Sequence, residues 1–105
     1  MHLKLTHITY FMASIKNLKK DVDFIIDEVI GDCMLYLYFN RGKNIDEIES
    51  VLKQTVELRN GLYGRINHPQ GKGDTRQTKA HYKAIVNDLL TMANGLFEQI
   101  SKLAK

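Results

Sequence analysis

Apolar residues recur at intervals of three and four through three long segments of this chain. Pro69, its only proline, falls between the second and the third. That period lays an apolar stripe along one side of an α-helix. In the first segment, from about Leu3 to Asn40, the stripe is Leu5, Ile8, Met12, Ile15, Leu18, Val22, Ile25 and Val29, widened by Ile26 and Ile30. A widened stripe belongs to a helix that touches two neighbours. The second segment, Ile45 to about Asn67, carries Ile45, Ile48, Val51, Leu52, Thr55, Leu58, Leu62 and Ile66, with Leu52, Val56, Arg59 and Tyr63 as a flanking row. The third starts at Asp74 or Thr75 and runs to about Leu103. Its face is Ala80, Tyr82, Ile85, Val86, Leu89, Leu90, Ala93, Leu96, Phe97, Ile100 and Leu103.

The connections between the segments are short, which makes neighbours antiparallel, and three apolar faces must meet. The expected fold is therefore all-α: an up-down-up bundle of three long antiparallel helices, in one domain spanning 1–105. Gly31 interrupts the first stripe, because a helical glycine costs about 1 kcal/mol relative to alanine. A true break there would give four helices. The apolar run Cys33–Phe39 that follows has two readings, a buried helical continuation or a strand rich in Tyr and Phe. A lone two-stranded ribbon is marginal in water, which favours the helix. A helix that is apolar all round also points to packing against another copy of the chain, so a homodimer completing a larger bundle is expected.

Turn chemistry marks the ends. Gly42, in Asn40-Arg-Gly-Lys-Asn44, suits a left-handed position after a helix. Asn44 is placed to cap the second helix, with Glu47 three residues on. Pro69 ends the second helix, and Asp74 or Thr75 caps the third. Gly61 and Gly64 read as points of close helix approach or fraying.

Composition removes several classes of function. With 44% hydrophobic residues in 105, the chain can fill a core. The net charge of +3 is mild, so any anionic partner must be argued from clustering. Cys33 is the only cysteine, which leaves no intrachain disulfide and reads as a small buried hydrophobe. His2, Lys4, Thr6 and His7 break up the first apolar residues, so no signal peptide is expected. No run approaches the ~20 apolar residues of a membrane span. The expectation is a cytoplasmic protein with no membrane partner.

Polar chemistry gathers between the second and third segments, in Asn67-His-Pro-Gln-Gly-Lys-Gly-Asp-Thr-Arg-Gln-Thr78. Arg65, His68, Lys72, Arg76 and Lys79 form a basic cluster, opposed there by Asp74 alone. Gly71 and Gly73 bracket Lys72, and a helix start offers free N–H groups. An anion, such as a phosphate of RNA or of a nucleotide, is the ligand this combination suits. Gly-Lys-Gly-Asp-Thr lacks the spacing of a P-loop. Arg76 and His81, separated by four residues, resemble the motif of HEPN-type ribonucleases, which are small helical bundles that act on RNA across a dimer. The resemblance implies His81 as general base and Arg76 against phosphorane charge. Gln77, after the arginine, departs from that pattern. His81-Tyr-Lys83 does not match histidine phosphotransfer domains, where the lysine falls three residues after the histidine and a glycine follows. No histidine pair has helical metal-ligand spacing, so neither metal nor cofactor is expected. Arg59 sits beside the core row, where it should pair with Asp23 or Asp27.

The sequence thus reads as a non-enzymatic helical bundle acting through protein interaction or homo-oligomer assembly. The alternative is an RNA- or phosphate-binding bundle using the basic stretch 65–83.

Overall fold

A computed structural model describes residues 15–68 and 73–104. Three helices make the described fold: α1 (Ile15–Phe39), α2 (Ile45–Asn67) and α3 (Thr75–Leu103). Each packs on the other two. The expected three-helix arrangement holds, and α2 and α3 span the segments read from the stripes. Leu5, Ile8 and Met12, assigned to the first stripe, lie outside the described residues.

The stripes fill one core. Leu18, Val22, Ile25 and Val29 of α1 meet Ile48, Val51, Leu62 and Ile66 of α2 and Ile85, Leu89, Ala93 and Phe97 of α3, all buried. Thr55 is also fully buried, and its hydroxyl donates to the Val51 carbonyl at 2.6 Å, so its polar atom is satisfied within its own helix. Cys33–Phe39 is helical, and α1 runs through Gly31 without a break. Continued i→i−4 bonding and the burial of Cys33 and Tyr36 outweigh the cost of one glycine.

Four expectations need correction. Asn44 sits at the start of α2 but in the left-handed region (φ 55°), and its side chain makes no capping bond. Its Nδ2 instead donates to Tyr36 Oη at 2.6 Å, and that hydroxyl donates to the Leu103 carbonyl at 3.3 Å. One tyrosine thus joins the α1–α2 turn to the end of α3. Ile45 and Val56 stand about half exposed, as they fall outside the angle that α1 and α3 cover. Ala80 is exposed as well. Gly61 and Gly64 are not points of close approach within the chain: a Cβ on either would meet nothing within 4 Å. Gly42 does take the left-handed turn (φ 79°).

Asp21 of α1 is buried, and its Oδ2 has no hydrogen-bond partner among the described residues. Burial raises its pKa above 3.8. The folded chain therefore holds that proton more tightly than the unfolded one. The resulting stability is complete below pH 3.8 and is lost as pH rises through the folded pKa. Asp21→Asn should stabilise the protein at pH 7 by roughly 1 kcal/mol and give no gain at pH 3, which urea titrations at the two pH values would read.

Candidate functional site

The last turns of α2 and the first turns of α3 border an open hollow of about 760 Å³, lined by Gly61, Gly64, Arg65, His68, Gln77, Ala80 and His81. Three of the seven residues facing it are small. Glycines at 61 and 64 and alanine at 80 leave the space that larger side chains would fill.

The structure divides the predicted basic cluster. Arg65, His68 and His81 share the hollow. Arg76 and Lys79 are exposed on the first turns of α3 and do not line it. Lys72 lies outside the described residues.

Arg65 is not a free cation. Its Nη1 donates to Asp88 Oδ2 at 2.6 Å, a pairing the sequence reading missed. Both side chains remain more than a third exposed, so water screens the pair, which contributes at most about 1 kcal/mol. Asp88 is 23 positions from Arg65 and gives no local signal of the contact.

His81 Nε2 lies 2.7 Å from the Arg65 carbonyl oxygen. A carbonyl only accepts, so Nε2 carries the proton and a neutral ring keeps its lone pair on Nδ1. Arg76 does not join it. Five residues along a helix turn through about 140°, so the two side chains leave α3 on different sides. The free N–H groups expected at the start of α3 are also engaged. Asp74 Oδ1 accepts from Arg76 N at 2.9 Å and from Gln77 N at 3.3 Å, which places a carboxylate at the positive helix end.

A smaller and more enclosed trough of about 470 Å³ continues between α2 and α3, over Leu58, Leu62, Met92, Gly95 and Leu96 to Gln54 and Gln99. Gly61 and Arg65 border both spaces, so the two form one groove. The Gln54 and Gln99 amides close its far end by donating to each other's carbonyls at 3.2 and 3.1 Å.

Arg59 behaves as the sequence led us to expect. Its Nε donates to Asp23 Oδ1 at 3.2 Å, and its guanidinium stands 4.3 Å from the Tyr63 ring centre. Tyr63 Oη donates to Asp23 Oδ2 at 2.8 Å. Burial, then Asp23, raises the Tyr63 pKa, against the opposing pull of Arg59. The cluster binds α1 to α2 and lines neither the hollow nor the trough.

A second surface lies at the other end of the bundle. Met34, Leu35, Tyr38 and Phe39 of α1 and Ile45 of α2 are all roughly half exposed or more, Phe39 at 74%. Tyr38 and Phe39 pack edge to face at 5.1 Å, and Arg41 stands 5.8 Å from the Tyr38 ring centre.

Among the described residues no three His, Cys, Asp or Glu side chains gather where a metal ion could be held. No described helix is long and apolar enough to cross a membrane. No protein-family model matches this chain, and neither a curated protein nor a solved structure does.

Proposed function

We propose that this protein is a non-enzymatic helical bundle that works by assembly, with a second copy of itself as its partner. The observation that carries the reading is the apolar end of α1. Leu35, Tyr38 and Phe39 are more than half exposed although the core has room only for the opposite side of the helix. Contiguous apolar side chains left in water mark contact surfaces. Arg41 lies over Tyr38 as a rim cation does.

Nucleic-acid binding is the weaker reading. It needs Arg65 and the α3 helix start to be open to phosphate, and Asp88 and Asp74 occupy them. Arg76 and Lys79, the exposed arginine and lysine of the predicted cluster among the described residues, make a small electrostatic footprint.

The test is a pair of charges. Leu35→Glu together with Phe39→Glu should lower the mass measured by light scattering at tens of micromolar while leaving the helical circular dichroism intact. Both side chains are exposed, so the fold does not depend on them. An unchanged mass would remove the apolar end from the assembly. Salt-sensitive binding of labelled RNA that Arg76→Ala abolishes would favour the alternative.

A further inference from the structure

Glu57, Gly61 and Gly64 fall at positions i, i+4 and i+7 of α2, His68 follows at i+11 as the residue that caps its C-terminus, and all four are exposed. They form one row along the lip of the α2–α3 groove. The row is self-complementary when reversed. A twofold axis between positions 62 and 63 sets Glu57 of one copy beside His68 of the other, and Gly61 beside Gly64. The eleven positions from Glu57 to His68 span about 16 Å along the axis of α2. We infer that this row is an isologous contact, across which the α2 helices of two copies pack antiparallel over their glycines.

Three observations carry the pairing. Chemistry is matched at the ends: Glu57 is a carboxylate acceptor, and a histidine always has at least one ring N–H to donate. Space is matched in the middle. Neither glycine is required by packing inside the chain, since an added Cβ meets nothing within 4 Å at either, and two bare stretches of helix can approach closely. Apolar surface is also available beside the axis, where Met92 is 54% exposed on α3 at the edge of the same groove. In a twofold arrangement Met92 falls close to its own copy, and Gln99 falls towards the His81 end of the partner groove.

This contact is distinct from the apolar end of α1, so the chain is bivalent. Two different twofold contacts per chain give a closed tetramer when their axes cross at right angles and an open array when they do not cross.

Sedimentation equilibrium of four proteins separates the two contacts. Wild type should exceed a dimer. Leu35→Glu/Phe39→Glu should stop at a dimer held by the groove, Gly61→Glu should stop at a dimer held by the apolar end, and the three changes together should be monomeric. Gly61→Glu sets like charges near the axis and replaces a helical glycine in open space. At a concentration low enough that both proteins are monomeric its melting temperature should therefore rise, while association through the groove weakens at least tenfold. Misfolding would give a fall in both. Met92→Cys should oxidise to a covalent dimer, and Glu57→Cys should not, as its copies lie at opposite ends.

A monomeric Leu35→Glu/Phe39→Glu protein overturns the groove contact and leaves the apolar-end reading standing. It would also be the result if a helix of another protein fills the groove. A wild type reduced to a monomer by Gly61→Glu alone supports the groove and ends the apolar-end reading. A wild type that is monomeric throughout ends both.

Discussion

Leu89→Ala should cost this protein about 3 kcal/mol of stability, within the range for a large-to-small change at a fully enclosed site. Leu89 is fully buried, at the middle of α3 in the cluster where all three stripes meet. Truncation loses its transfer free energy and leaves a cavity that helices held by neighbours on both sides cannot close. Small domains have only about 5–15 kcal/mol in total, so the urea midpoint should fall sharply with an unchanged slope. Met92→Ala supplies the contrast. Met92 lies one turn further along α3 but is half exposed, and its loss should cost well under 1 kcal/mol in the monomer. Equal costs at the two positions would mean that the stripe of α3 does not face the core.

The second large effect is chemical. Cys33 should react with a soluble disulfide reagent at pH 8 at least about 100-fold more slowly than a free thiol. Burial, and then Asp32, push its pKa from 9.0 up to about 11. Two units cut the thiolate present at pH 8 by about 100-fold, and the thiolate is the nucleophile. The side chain is also fully enclosed, so reagent must wait for the helix to open. Adding urea to unfold the chain should restore the full rate. Fast labelling of the folded protein would place Cys33 at the surface and turn α1 away from its neighbours.

The bundle was legible because its signals are periodic. Leu18, Val22, Ile25 and Val29 declare which side of α1 is inward before any contact is known, and Asp74 declares where α3 begins. Arg59 could be assigned to Asp23 or Asp27 of α1 because its row adjoins the core, and the structure pairs it with Asp23. Single-residue outcomes that depend on an angle or a distant partner were not legible. Ile45 and Val56 carry apolar side chains, yet they point where no helix lies, since the stripe does not state how wide an arc the neighbours cover. Asn44 has the right identity for a cap, but Tyr36, eight positions back, takes its amide. The basic cluster looked like one patch because residues near a loop are near in sequence. Helix rotation sends Arg76 and His81 apart, and Asp88 pairs with Arg65 from more than three turns along α3. The row Glu57, Gly61, Gly64 and His68 could have been found by its spacing, but its meaning depends on the open space around the glycines.

Assembly is the claim on which the functional account stands, and the mass of the unmodified chain as a function of concentration tests it most directly. Sedimentation equilibrium from one to one hundred micromolar should show the average mass climbing from the 12.1 kDa of one chain to more than twice that value. A mass that stays at 12.1 kDa over the whole range would contradict the account.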